Sequence, residues 1–292
     1  MDEFRYFIAG TPFAAPLLAA GLHVVSTPIG NLRDMTLRGL ETLAAADVIY
    51  CEDTRTSAKL CEHYGVKTPR KALHEHNERA LIATILADLG RGGKIALISD
   101  AGTPLLSDPG FPLVRAVREA GLPVFAVPGA SALLAGLAVA GLPTDAFSFV
   151  GFLPAKAGAR ANAIGELKSL LGTLVLYESP RRLGETLGAL ATGLGDREAA
   201  VGLELTKKFE RVSRGRLSAL SAEFAGDDIK GEAVVLVAGA KDAEPEKEEW
   251  SEALAEAMEA MPLRTAVDAI TERFGLKHKQ VYDAALARKA KQ

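Results

Sequence analysis

Cysteine is scarce: the 292 residues hold two, Cys51 and Cys61. Two thiols with no matching His or Cys set exclude a disulfide framework and offer no zinc spacing. They read as buried thiols of a reducing compartment. Aromatic residues make up only 6% of the chain, so its core must be aliphatic. Neither sign of charge dominates. Lys and Arg number 34, Asp and Glu 37, and the formal net charge is −3. The broad basic footprint of a nucleic-acid binder is therefore missing, which leaves room only for a local patch on an acidic background. Asp2 and Glu3 stand where a signal peptide needs a basic start. The apolar run from Ala130 to Leu142 is 13 residues long, short of the roughly 20 a membrane span needs. The expectation is a cytoplasmic protein without membrane attachment. Neither a G-x-G-x-x-G turn nor a G-x-x-x-x-G-K-[ST] loop occurs, which argues against dinucleotide and P-loop nucleotide sites.

What is present is an alternation of strand-like and helix-like segments. Leu22–Ser26, Val48–Cys51, Ile95–Ser99 and Val124–Val127 are short apolar runs, and amphipathic stretches such as Met35–Ala46, Thr56–Tyr64 and Glu78–Leu89 separate them. A second alternation follows a Pro/Gly/Lys-rich stretch at 153–160, with strands expected at Ala146–Phe152, Thr173–Tyr177, Glu198–Leu205 and Glu232–Ala238. From Lys241 the texture becomes helical, with seven glutamates between Glu244 and Glu259 and two further helical patterns at Thr265–Phe274 and Lys279–Ala290. That pair resembles a helix-turn-helix in length and turn. The fold class is therefore α/β, with two α/β domains and a small helical appendix. The divisions fall at 1–20 for a poorly ordered N-terminal extension, 21–145, 146–240 and 241–292.

The strands end on unusual loops. Ser26-Thr27-Pro28-Ile29-Gly30, Asp100-Ala101-Gly102-Thr103-Pro104 and Pro128-Gly129-Ala130-Ser131 each follow an apolar run. In open α/β sheets ligands bind beyond the carboxyl ends of strands, so these loops point to a small-molecule site. Asp100 can accept hydrogen bonds from a ligand or merely cap a turn. Ser131 can face a ligand or cap a helix. Glu52-Asp53-Thr54-Arg55 also closes a strand. His74 and His76 lack a third ligand at metal spacing, so no metal is expected, and Asn77 can cap the next helix. In the second half, Arg181, Arg182, Lys207, Lys208 and Arg211 follow strand ends. With Lys156, Arg160, Arg214 and Arg216 they can form a phosphate-binding face or remain scattered solvated charge.

The blocks STPIGNLRD, CEDTR, HEHNE, SDAGTPLLSDPG, VPGAS, YESPRR and KGEAVVLVAG, spread from Leu22 to Gly239, resemble the tetrapyrrole methylase-like superfamily of S-adenosylmethionine methyltransferases. Among its branches they are most similar to one acting on ribosomal RNA of the small subunit. The resemblance implies S-adenosylmethionine folded between two domains of each subunit of a homodimer. It implies methyl transfer to the ribose 2′-hydroxyl of a cytidine in the decoding region of small-subunit (16S) ribosomal RNA, free or in the small ribosomal subunit. Carried onto this chain, the cofactor would contact Pro28, Gly30, Asp100, Gly102, Thr103, Gly129, Ser131, Ala132, Tyr177 and Ala233. Arg181, Arg182, Lys207, Lys208 and Arg211 would grip RNA, with Lys277, Lys279, Arg288, Lys289 and Lys291 of the appendix as a second contact. The N-terminal extension has no counterpart in the resemblance.

A ribose hydroxyl must lose its proton during transfer, so a base is needed. The candidates are Glu178, Lys207, His76, His74 and Glu52, and Glu178 is preferred because it ends a strand beside the expected methyl site. Three rival functions remain open at this point: a tetrapyrrole methyltransferase, a nicotinamide-dependent oxidoreductase, and a non-catalytic RNA-binding module.

Overall fold

The computed structural model describes residues 4–226, 231–240 and 247–289. Residues 1–3 of the expected extension, Glu244, Glu246 and Lys291 lie outside the described residues. The chain divides into two compact units, Met1–Gly239 and Ala240–Gln292.

The expected poorly ordered start is instead a hairpin, β1 (Arg5–Ile8) and β2 (Thr11–Ala14), paired antiparallel. Ala9 and Gly10 form its two-residue turn, both at positive φ, as the right-handed twist of such a turn requires. Tyr6 is buried and stacks on Phe13 at 5.6 Å. The extension is ordered because its alternating apolar side chains find a surface to cover, which the isolated segment does not reveal.

The first sheet contains β3 (Gly21–Val25), β4 (Val48–Cys51), β5 (Arg70–Ala72), β6 (Lys94–Ile98) and β7 (Val124–Val127). Its spatial order is β5-β4-β6-β3-β7, all parallel. Side chains alternate between its faces. Ile49 and Cys51 of β4 join one apolar layer with α1 (Leu37–Ala45) and α2 (Thr54–His63). Val48 and Tyr50 join the other with α3 (Glu78–Gly90) and α4 (Phe111–Glu119). Burial on both faces explains why β3, β4 and β6 read as continuous apolar runs, whereas edge strand β5, Arg-Lys-Ala, carries no such run and is absent from the sequence expectation.

The caps are informative. Thr36 accepts from the Gly39 N–H at 3.0 Å to start α1, and Asp53 accepts from the Arg55 N–H at 2.8 Å to start α2. Asn77 does not cap α3 with its side chain. It closes the preceding turn, accepting from the His74 N–H at 2.8 Å and donating to the Ala72 carbonyl at 3.1 Å. The cap of α4 comes from another helix. Buried Glu78 accepts from the N–H groups of Leu113 at 2.9 Å and Gly110 at 3.3 Å. A carboxylate there satisfies orphan donors and complements the helix dipole. Glu78→Ala leaves both N–H groups without that partner and should cost about 2–4 kcal/mol, read as a lower urea midpoint of the full chain.

The second sheet comprises β8 (Phe147–Phe152), β9 (Thr173–Glu178), β10 (Glu198–Leu203), β11 (Arg211–Arg216) and β12 (Ala233–Val237). Its order is β11-β10-β12-β9-β8, with only β8 and β9 parallel. β11 is absent from the sequence expectation because its Arg-rich register, exposed at an edge, carries no apolar alternation. One face packs on α6 (Ala157–Glu166), α7 (Leu183–Leu194) and α8 (Leu217–Glu223). The other packs on α5 (Ala132–Ala140), whose Leu133, Leu137 and Ala140 meet Val175, Val234 and Leu236. Gly136 permits this approach, since a Cβ there would lie 3.0 Å from a Val234 methyl. α5 precedes residue 145 yet packs on the second sheet, and both sheets belong to one compact unit.

The second unit is three helices, α9 (Lys247–Ala260), α10 (Leu263–Phe274) and α11 (His278–Lys289), around Trp250, Leu254, Val267, Ile270 and Val281. Gly275 ends α10 at φ +63°, the left-handed C-terminal stop that glycine adopts without strain. Among the described residues no helix is long and apolar enough to cross a membrane.

Candidate functional site

The carboxyl ends of β3 and β6 in the first sheet and of β9 in the second converge with the start of β12 on one cavity. This inner cavity has a volume of about 300 Å³, within the range of small-ligand sites. Gly102, Thr103, Ala132, Tyr177 and Ala233 line it, half of the ten residues expected to hold a cofactor, together with Glu178. Three others, Pro28, Gly30 and Asp100, line an adjoining cavity of about 440 Å³ that shares Ile29, Ala101 and Glu232 with the first.

The remaining two, Gly129 and Ser131, line neither. A Cβ on Gly129 would lie 3.0 Å from that of Ser26, so this glycine serves close packing of the loop on the end of β3. Ser131 is buried at the start of α5 and makes no side-chain cap there.

The loops are locked by local bonds. Thr27 and Gly102 exchange two backbone hydrogen bonds, at 2.8 and 3.0 Å. Ser26 Oγ and Thr103 Oγ1 lie 2.9 Å apart. Gly102 has φ +78°, which a larger residue holds only with strain. Oδ1 of Asp100 accepts from the Asp53 N–H at 3.1 Å, so Asp100 ties the ends of β6 and β4 together.

The inner cavity has apolar walls from Ile29, Leu106, Ala132, Phe152, Tyr177 and Val234. Among the described residues no lysine or arginine lines it, whereas Asp108, Glu178 and Glu232 do. Such a surface disfavours phosphate and suits an organic cation with an aromatic ring. Asp108 is a residue that the sequence reading missed. Burial first, then the charges of Glu52 and Asp100, hold its carboxyl up at about 6, with the Ser99 hydroxyl pulling the other way. Burial, with Asp108 adding, also raises the Tyr177 phenol.

The three expected bases, Glu178, Lys207 and His76, sit in different surroundings. Glu178 is nearly inaccessible, and both its oxygens are engaged: Oε1 accepts from the Ser179 N–H at 2.8 Å and Oε2 from the Thr186 hydroxyl at 2.7 Å. Arg182 lies 3.4 Å from Oε2. These are the contacts of a group that holds the β9 turn, and each oxygen already accepts one hydrogen bond. Lys207 lies in the adjoining cavity, 2.8 Å from Glu204 and 3.4 Å from Glu232. Burial alone would favour its neutral amine, but these carboxylates outweigh it and raise its pKa. A lysine so held keeps its proton at neutral pH. His76 lines neither cavity. It faces a third one, of about 630 Å³, with Glu52 and Asp108.

Several expected RNA contacts are likewise occupied. Arg211 pairs with Glu223, Arg160 is buried against Glu185, and Arg214 donates to the Val139 carbonyl. Arg182 also donates to the Leu153 and Pro154 carbonyls, each at 3.2 Å. A charge already paired attracts less phosphate, so Arg182, Lys207 and Arg211 are less available than Arg181 and Lys208. Arg181 and Lys208 remain exposed. Beside Lys208, with its ammonium 5.5 Å from the ring centroid, stands Phe209, 76% exposed.

Comparison with known proteins agrees with this geometry. The model for Tetrapyrrole (Corrin/Porphyrin) Methylases matches residues 21–221. The chain belongs to the tetrapyrrole methylase family. It is a methyltransferase, with S-adenosylmethionine as methyl donor. A cationic sulfonium attached to an adenine ring fits the acidic, apolar-walled inner cavity, and the residues lining it would hold the donor. A second model, described as RsmI C-terminal HTH domain, matches residues 244–289, which accords with the helix-turn-helix read from the tail.

This tetrapyrrole methylase is 45% identical over 277 residues to a protein of Mesorhizobium japonicum named Ribosomal RNA small subunit methyltransferase I, covering 94% of each chain. A Pseudomonas aeruginosa protein of the same name is 43% identical, covering 94% of this chain and 99% of its own. Among solved structures, the methyltransferase CobJ matches with TM-score 0.57 at 19% identity, over 76% of this chain and 95% of that one. Diphthine synthase matches with TM-score 0.58 at 17% identity, over 74% and 89%. At such identities these two matches speak to the fold alone.

Proposed function

We propose that this methyltransferase moves the methyl group of S-adenosylmethionine to the ribose 2′-hydroxyl of a cytidine in the decoding region of small-subunit ribosomal RNA. It acts as a homodimer in the cytoplasm, where its two buried free thiols stay reduced. The observation that carries the reading is the full-length similarity to proteins named for small-subunit ribosomal RNA. The donor supplies a methyl carbon already activated by its sulfonium. The protein must therefore align the hydroxyl in line with that carbon, exclude water and receive a proton.

The nucleic-acid contact rests on Arg181, Lys208 and Phe209. Arg181→Ala with Lys208→Ala should reduce the salt dependence of RNA affinity by about one log unit per charge removed. Phe209→Ala should weaken binding by about 1–3 kcal/mol through lost base stacking and leave the salt slope in place. Filter binding between 50 and 200 mM salt separates the two. Equal slopes for wild type and the double variant would sink the patch.

The function itself is tested by incubating the protein with labelled S-adenosylmethionine and small subunits lacking the modification, then mapping the label. Label on one cytidine 2′-oxygen is the expected result. Donor binding without transfer to RNA would overturn the proposal.

A further inference from the structure

We propose that Asp108 is the proton acceptor of the transfer, a role that rests on the ribose-hydroxyl acceptor proposed above. Ser107 and Asp108 line both the inner cavity of about 300 Å³ and the cavity of about 630 Å³ that holds His76. They form the wall where a donor in the first chamber meets an acceptor entering from the second. The other acidic groups of the inner cavity are committed elsewhere: Glu178 to Thr186, Ser179 and Arg182, and Glu232 to Lys207.

The loop that carries Asp108 is strained beside it. Leu105 and Ser107 adopt φ of +76° and +67°, conformations that cost a non-glycine residue of order 1–3 kcal/mol and persist only when their surroundings impose them. Glu78, bonded to the Gly110 N–H, fixes the far end of this segment. The groups that set the ionisation of Asp108 come from every side. Glu52 follows β4, and Ser99 and Asp100 follow β6, while Tyr177 on β9 feels the charge of Asp108 in turn. His76 and Arg79 line the second chamber. With a pKa near 6, the carboxylate is ionised at neutral pH yet more basic than an ordinary aspartate, as a general base requires.

In the step, the hydroxyl oxygen forms the new O–C bond as the C–S bond breaks. The electron pair of that bond stays on sulfur, which becomes a neutral thioether. The hydroxyl proton passes to Asp108, and from there to water.

The test uses the full chain, wild type and the variants Asp108→Asn and Asp108→Glu, with small subunits lacking the modification. Single-turnover transfer by Asp108→Asn should fall about 10²–10⁴-fold, and S-adenosylhomocysteine affinity should stay within about threefold. The wild-type rate should rise with pH through about 6 and then level. Asp108→Glu should recover part of the rate and keep that step.

Stability provides an independent readout. The folded pKa lies above the unfolded one, so ionisation destabilises the fold as pH rises through about 6. Asp108→Asn should therefore melt higher than wild type at pH 7.5 and equally at pH 3.5. The proposal is overturned if Asp108→Asn transfers at the wild-type rate. It is equally overturned if the wild-type profile is flat from pH 5 to 8, which keeps the test decisive even where Asp108→Asn does not fold. Absence of any transfer to RNA by wild type would instead remove the functional reading beneath it.

Discussion

Glu178→Leu lowers the thermal midpoint of the full chain by about 10 °C, whereas Glu178→Gln retains methyl transfer within about tenfold of wild type. The expectation follows from where the two oxygens point. The carboxylate ends β9, 3% exposed, and binds the Ser179 N–H and the Thr186 hydroxyl, with Arg182 at 3.4 Å. Leucine matches its volume roughly but leaves a buried hydroxyl, a backbone donor and a guanidinium without their common acceptor. Removing one side of such a buried network costs about 3–5 kcal/mol. For a folded unit of this size each kcal/mol moves the midpoint by about 2–4 °C. Glutamine keeps the shape and one carbonyl acceptor, and replaces the charge and the second acceptor with an amide NH2. Calorimetric melts and single-turnover transfer check both halves. A Glu178→Gln protein of wild-type stability with no transfer would return the proton to Glu178 and displace the structural role.

Gly102→Leu should abolish donor binding, with at least a 100-fold rise in the dissociation constant for S-adenosylhomocysteine, about 2.8 kcal/mol at 1.4 kcal/mol per tenfold. At φ +78° this residue sits in the left-handed region, and a Cβ there would lie 3.3 Å from a methyl of Ile29. Both residues line the cavity of about 300 Å³, so a leucine side chain competes directly with the donor for its space. Strain adds roughly 1–2 kcal/mol to the folded state. Gly102→Ala carries that strain with little bulk, and it should bind within about tenfold of wild type. Titration calorimetry on the three proteins separates blocking from strain. A Gly102→Leu protein that binds normally would place the donor elsewhere.

The strand-end loops were legible in the sequence because glycine and proline after an apolar run mark a backbone that approaches something closely. That logic found Gly102 and Thr103 on the inner cavity, whereas Ala132, Tyr177 and Ala233 there came from the family resemblance. It failed for Gly129, whose missing side chain serves the neighbouring strand, because close packing and ligand approach leave the same mark. Basic residues beyond strand ends suggested a phosphate face, but pairing decides whether a charge is available. Arg211 meets Glu223 twelve residues away, and Arg182 meets Glu178. Asp108 was overlooked inside SDPG, a string that local rules read as a turn.

The sequence alone determined most of the strand and helix alternation, the aliphatic core and the family, since periodicity, composition and long motif blocks are local properties of a chain. It missed β1 and β2 of the hairpin, and also β5 and β11, which carry no apolar run. Tertiary structure decided the rest. It set the strand order β5-β4-β6-β3-β7, recruited Tyr6 of the N-terminal hairpin to the core, gave α5 to the second sheet, and let Glu78 cap a helix 32 residues later. It also decided which carboxylate of the site has its oxygens taken and which stays available beside the donor cavity. Desolvation and pairing depend on groups brought together from distant positions, here Glu52, Ser99 and Asp100 around Asp108, and no window of sequence contains them all.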